Sequence, residues 1–184
     1  VGSRHEGTGH TGATHMLEHL MFKGSEGFNA DRGTEIARTL HRVGASFNAT
    51  TWLDRTTYFE VLPVDQLQVA VAIEADRMRR ALIRPSDLEN ERSVILNELD
   101  IGENEPFEVL MKASLAHAFL EHPYHHPTIG WRGDVEAMTA DVLRRFYDTY
   151  YHPDNATVII VGDVDEESAL AEVEKGFGEI PPAS

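Results

Sequence analysis

Apolar residues recur at helical spacing along much of this chain and give way in one stretch to β-branched and aromatic runs. A Gly/Thr-rich turn from Thr8 to Gly12 leads into good helix formers from about Ala13 to Phe22, with Gly24 as the stop. A second helix is predicted from about Thr34 to Val43, with Ile36, Leu40 and Val43 on one face and Gly44 just past its end. Ser46 to Trp52 and Thr56 to Leu62 are rich in Thr, aromatic and β-branched residues. Joined by Leu53-Asp54-Arg55, they read as a hairpin that Pro63 closes.

Helical periodicity then returns. A long helix is expected from about Asp65 to Leu82, carrying Leu67, Val71, Ile73 and Met78. Pro85-Ser86 opens another, with Ser86 and Glu89 at capping-box spacing, which continues through Glu98. Pro106 interrupts the pattern before a helix over about Phe107 to Leu120. Thr139 is a good N-cap for a helix to about Tyr150, ended by Pro153. Ala156 to Val161 is apolar and β-branched and reads as a short buried strand. Gly162-Asp163 then turns into a last helix, about Glu166 to Phe177. Helices with a few strands, a hairpin among them, predict an α+β fold: a two-layer sandwich of a mainly antiparallel sheet with helices on one face.

Length and composition narrow the class. The 184 residues suit one domain with a real core, 41% of them being hydrophobic. No stretch approaches the ~20 apolar residues of a membrane span. The net charge of −15 argues against nucleic acid and favours basic peptides, besides keeping the surface soluble. With no cysteine, disulfides, thiolate metal sites and cysteine nucleophiles are excluded. The chain begins at Val1 in mid-pattern and ends on the linker-like Ile180-Pro181-Pro182-Ala183-Ser184, so both ends read as cut from something longer.

The chemistry concentrates in His15-Met16-Leu17-Glu18-His19, an H-x-x-E-H pattern. On a helix, positions four apart share a face, so both imidazoles can reach one cation. Zinc takes imidazole nitrogens at ~2.0–2.1 Å, and a catalytic zinc has three protein ligands with a fourth position open. Glu18, near the same face, is placed to accept a proton from the attacking water rather than to bind the ion. A surface helix with two ordinary histidines could carry the same letters, but this motif lies among Met16, Leu17, Leu20, Met21 and Phe22, where polar groups need partners. The third ligand must come from elsewhere. Glu91 and Glu98 lie two helical turns apart on one face, beside Val94, Ile95 and Leu99. Spacing alone does not choose between Glu91, Glu98 and Glu103.

The longer string Gly7-Thr8-Gly9-His10-Thr11-Gly12-Ala13-Thr14-His15-Met16-Leu17-Glu18-His19-Leu20-Met21-Phe22-Lys23-Gly24 resembles the pitrilysin/insulinase family of zinc peptidases, and within it the branch of the mitochondrial processing peptidase and its bacterial relatives. Gly44 to Thr50 resembles the family's G-x-x-x-N-A segment, and Glu91 to Glu98 resembles its E-R-x-V-I-x-x-E signature. Tyr151 to Asn155 and Val161 to Val164 also fit, so the resemblance spans nearly the whole chain. It implies one Zn2+ held by His15, His19 and Glu98, with Glu18 as general base and Glu91 behind the ligands. It also implies an edge strand, Phe47, Asn48, Ala49 and Thr50, that receives an extended peptide or unfolded protein substrate by main-chain pairing.

Family members have two homologous halves that close on the substrate. This chain resembles the N-terminal zinc-binding half-domain over 1–184, without its leading strand or strands and without the second half, which would lie on the same parent chain or on a partner subunit. The alternative is a non-catalytic scaffold or partner half of the same fold. A cysteine-dependent hydrolase with a similar helix motif is excluded by the absence of cysteine. The loop His122-Pro123-Tyr124-His125-His126-Pro127 is expected to have no metal role. Trp52, Trp131 and Phe119 are expected in the core or a cleft wall, and His5, His10, His41, His117 and His152 are expected to be structural or exposed.

Overall fold

Helices form where the apolar spacing predicts them. The computed structural model describes residues 1–183; Ser184, the end of the linker-like tail, lies outside them. Its helices are α1 (Ala13–Leu20), α2 (Ile36–Arg42), α3 (Leu67–Arg80), α4 (Pro85–Glu103), α5 (Pro106–Ala118), α6 (Arg132–Ala137), α7 (Ala140–Tyr150) and α8 (Glu166–Phe177). Two strands, β1 (Ser46–Thr51) and β2 (Thr56–Val61), pair as the expected antiparallel hairpin. Gly44, at φ +75°, follows α2 as the left-handed terminator, with its amide on His41 O and the Ala45 amide on Leu40 O. The Thr139 hydroxyl accepts from the Val142 amide at the start of α7.

Two expectations are corrected and a third is narrowed. Ala156–Val161 is not a buried strand: Val158, Ile159 and Val161 are exposed, and no strand pairs with the segment among the described residues. An apolar β-branched run becomes a strand only where a neighbour takes up its main-chain hydrogen bonds. The Ser86–Glu89 capping box does not form, because α4 starts at Pro85 with Arg84 as its N-cap. Proline's fixed φ suits the first helical position, which leaves Ser86 inside the helix. Of the two places expected for Trp52, core or cleft wall, the core is ruled out: at the end of the hairpin the residue is 59% exposed.

The described residues fall into two compact units. The first comprises Val1–Leu20, Ala49–Thr57 and Ile83–Phe146. Here α1 packs on α4, and α4 packs on α5 and α6. Its core is Met16, Leu17 and Leu20 of α1, Leu88, Ile95 and Leu99 of α4, and Val135, Met138 and Leu143 beyond them, all buried. The Arg92 guanidinium ties α4 to the end of α6 by donating to Val135 O, Glu136 O and Met138 O. These are carbonyls that a helix end leaves without partners of its own.

The second unit comprises Met21–Asn48, Tyr58–Leu82 and the chain from Tyr147 on. Ile36, Leu40, Ala45 and Ile73 form its core, flanked by Phe22, Phe28, Val43, Phe47, Leu62 and Val69. Helix α3 packs on α2 and α8. The guanidinium of Arg77 is 2% exposed and lies over the Phe22 and Tyr58 rings at 5.0 and 4.4 Å. It pairs with Glu60 and Glu74, as a buried charge must. Tyr147 is fully buried; its hydroxyl accepts from the Ala81 amide at 3.1 Å and donates to Arg77 O at 2.9 Å.

Tyr147→Phe removes one hydrogen bond from each of two buried main-chain groups. It is expected to lower the unfolding free energy by about 1–3 kcal/mol with no change of fold, measured by urea denaturation. A variant as stable as wild type would show that these bonds are replaced without cost.

Candidate metal centre

Helix α1 owes its position to both its side face and its N-terminus. Met16, Leu17 and Leu20 are buried, and the opposite side carries His15 and His19, whose side chains are 17% and 18% exposed. At the N-terminus the buried Glu6 carboxylate accepts from the Gly12 amide at 2.8 Å and the Thr14 amide at 2.7 Å. These are amides a helix leaves without partners, at the end where its dipole favours negative charge. Gly12 itself, at φ +87°, lies so close to Ile129 O that a Cβ there would stand 2.6 Å from it. Thr11 is tied down as well: its amide and hydroxyl donate to Asp134 at 3.1 and 2.6 Å, and its hydroxyl accepts from the Trp131 amide at 2.9 Å.

Helix α4 brings the carboxylates. Its buried stripe runs Leu88, Glu91, Ile95 and Leu99, and Glu98 flanks that stripe with its side chain 39% exposed. Of the apolar residues beside the two carboxylates, Ile95 and Leu99 are buried and Val94 is exposed. Glu91, inside the stripe, meets His19 Nδ1 at 2.9 Å. Glu98 reaches both rings, one oxygen 3.7 Å from His15 Nε2 and the other 3.8 Å from His19 Nε2. One donor atom from each of His15, His19 and Glu98 lies within 4.8 Å of the other two. Among the described residues no other group of three such side chains converges.

The separations fit a shared cation better than direct contact. At 3.7–3.8 Å the nitrogen–oxygen pairs are too long for hydrogen bonds. Donors about 2.1 Å from one ion in tetrahedral array stand about 3.4 Å apart. Burial, and secondarily His19, lower the His15 pKa to about 4, so its ring is neutral as a ligand must be. The other ring nitrogen of His15, Nδ1, is buried with no hydrogen-bond partner.

Glu18 is 8% exposed and accepts a hydrogen bond on Oε2 from the Thr51 hydroxyl of β1. Burial raises its pKa; the Thr51 bond and His19 oppose the shift, and Glu98 adds to it. Along β1, Asn48 and Thr50 are exposed, while Ala49 is buried and Phe47 packs on Phe22 and His41 with ring centroids at 5.9 and 5.2 Å. Sequence reasoning singled out neither Glu6 nor Thr51. The signals for them are faint: a carboxylate a few residues ahead of a predicted helix start, and a threonine in step with Phe47 and Ala49.

Two imidazoles and a carboxylate, with a second buried carboxylate alongside, are the donor set of mononuclear zinc hydrolases. Comparison with known proteins agrees with that class. The family profile described as Insulinase (Peptidase family M16) matches residues 1–131, and the one described as Peptidase M16 inactive domain matches residues 137–184. An uncharacterised zinc protease of Mycobacterium leprae is 35% identical over 178 residues, covering 97% of this chain and 39% of its own length. The crystal structure of a protease from Helicobacter pylori superposes with a TM-score of 0.94 at 31% identity, over all of this chain and 44% of that one. The ferredoxin protease FusC, solved in complex with Arabidopsis ferredoxin, superposes with a TM-score of 0.89 at 28% identity, over all of this chain and 21% of that one. The chain belongs to the insulinase (M16) peptidase family. It spans less than half the length of these relatives.

The Glu6 anchor carries a pH signature. Burial raises its carboxyl to about 7 from 4.5, with the Thr14 and Gly12 bonds opposing and Asp134 adding. An acid that holds its proton more tightly when folded contributes fully at low pH and loses that contribution as pH rises through the folded value. From about pH 5 to about pH 7.5, wild type is expected to lose about 2 kcal/mol of unfolding free energy relative to Glu6→Gln, read by urea denaturation at each pH. Parallel pH profiles for the two proteins would remove this role from Glu6.

Proposed function

We propose that the chain is the N-terminal zinc-binding half-domain, residues 1–184, of a metalloendopeptidase that hydrolyses extended peptides or unfolded protein. In this reading His15, His19 and Glu98 hold one Zn2+, Glu18 is the general base, and Glu91 supports the ligands. The observation that carries it is the convergence of one donor atom from each of His15, His19 and Glu98 within 4.8 Å, with the buried Glu18 on the same helix as the two rings. The zinc-protease names of relatives support the choice of metal.

When bound, zinc supplies Lewis acidity, which makes water a nucleophile near neutral pH and polarises the scissile carbonyl. The chain's own groups do the rest. Glu91 accepts the Nδ1 proton of His19, which fixes the tautomer and leaves Nε2 directed toward Glu98. Glu18 takes a proton from the attacking water on its carboxylate and passes it to the departing amine nitrogen. Its raised pKa suits a group that must accept a proton and give it up again. Strand β1 has β2 on one side and no strand on the other among the described residues. An extended peptide can add to β1 by its main chain, with the exposed Asn48 and Thr50 and their neighbours Phe47 and Ala49 setting the register.

The remainder of the active protein is a second homologous half, on the same parent chain or on a partner subunit, and each half is a two-layer sandwich of a mainly antiparallel sheet with helices on one face. FusC, solved with ferredoxin, supports a protein rather than a small-molecule substrate, and the net charge of −15 favours basic segments. No described helix is long and apolar enough to cross a membrane. The inactive-domain profile bears on the alternative of a non-catalytic half. It covers only 137–184, apart from His15, Glu18, His19, Glu91 and Glu98.

Glu18→Gln in the full-length protein is expected to retain one zinc per chain by elemental mass spectrometry and to lose peptide hydrolysis by at least about 10²-fold. Turnover at the wild-type rate would take the general-base role from Glu18. Glu98→Ala is expected to weaken zinc binding by at least about 10–100-fold in chelator competition. Unchanged affinity would move the third ligand to Glu91.

A further inference from the structure

Glu18 has one hydrogen-bond donor among the described residues, the hydroxyl of Thr51. That hydroxyl meets Oε2 and leaves Oε1 without a protein donor. A carboxylate swings about its terminal torsion with little preference, so an unheld one presents either oxygen in a broad range of directions. Threonine is well suited to hold it. Its β-branched side chain has a restricted χ1, so the hydroxyl points in a set direction from a strand. The burial of β1 alternates, with Asn48 and Thr50 exposed and Ala49 and Thr51 turned inward.

We propose that Thr51 is a positioning residue for Glu18: it pins Oε2 so that Oε1 is the oxygen that exchanges the proton with water and leaving amine. The inference rests on the peptidase reading above and deepens it. Thr51 lies one residue beyond the stretch of β1 assigned to the substrate. One strand therefore registers the peptide main chain and aims the base, and neither can shift along that strand without the other. Thr51 touches no donor atom of the candidate metal centre, so its loss acts on proton transfer and not on metal binding.

The test is made in the full-length protein with Thr51→Val, which keeps the shape and removes the donor, and Thr51→Ser, which keeps the donor. Thr51→Val is expected to lower kcat about tenfold or more, with KM and zinc affinity unchanged within about twofold; Thr51→Ser should return kcat to within about threefold of wild type. A second readout needs no turnover. Affinity for a peptide hydroxamate, whose hydroxyl proton is taken by a well-aimed carboxylate, should fall about tenfold in Thr51→Val and recover in Thr51→Ser. Wild-type kcat and hydroxamate affinity in Thr51→Val overturn the proposal. So does equal damage in both variants with loss of zinc or of thermal stability, which is the mark of a packing role. A wild type that binds zinc and hydroxamate but cleaves no peptide overturns the peptidase reading instead, and the hydroxamate series then decides Thr51.

Discussion

Everything at the candidate site depends on holding an eight-residue helix still. A helix as short as α1 is not stable in isolation, where fewer than about 12–15 residues rarely suffice. Its placement comes from tertiary contacts. Buried Met16, Leu17 and Leu20 fix the rotation of α1 in the unit it shares with α4, and Glu6 fixes its beginning by accepting two amides. Rotation matters because His15 and His19 converge only on the side away from that apolar face, with ring centroids 4.8 Å apart. The glycine at position 12 and the Thr11–Asp134 bonds are then not incidental turn chemistry. They remove the remaining freedom with which the helix could slide along its own axis.

The same burial shifts the titration of His15 and Glu18 on α1 and of Glu6 ahead of it. Low dielectric disfavours charge of either sign, so it lowers the His15 pKa and raises those of Glu18 and Glu6. The local partners then separate the outcomes. Glu6 is met by two amides and stays an anchor, whereas Glu18 is met by a single hydroxyl and keeps one oxygen without a protein donor. Two buried glutamates a dozen residues apart thus play different parts because of who donates to them.

Much of this was legible in the sequence. Apolar spacing, caps, glycines and prolines located the long helices, and Thr, aromatic and β-branched runs on either side of a short connection located the hairpin. The H-x-x-E-H spacing put two rings on one face. Spacing left Glu91, Glu98 and Glu103 as alternatives, and the resemblance favoured Glu98, which is the carboxylate that faces both rings. What could not be read were contacts between residues distant in sequence: Thr51 with Glu18, Thr11 with Asp134, Arg92 with the end of α6. No periodicity encodes these. The apolar run Ala156–Val161 misled because composition reports a propensity for strand, whereas a strand also requires a neighbour.

The seven-residue interval between Glu91 and Glu98 explains why one helix can serve both nitrogens of His19. Seven residues are nearly two turns, but fall about 20° short of a whole number. Glu91 therefore sits within the buried stripe, where a carboxylate must be fully paired, and His19 Nδ1 pairs it. Glu98 is displaced just outside the stripe, toward solvent, where it can face two Nε2 atoms without being sealed in. A four-residue interval would have swung the second carboxylate about 40° the other way and only one turn along the axis. With α4 locked to α6 through Arg92, the register of the two carboxylates against α1 is fixed by covalent spacing and packing together, before any cation arrives.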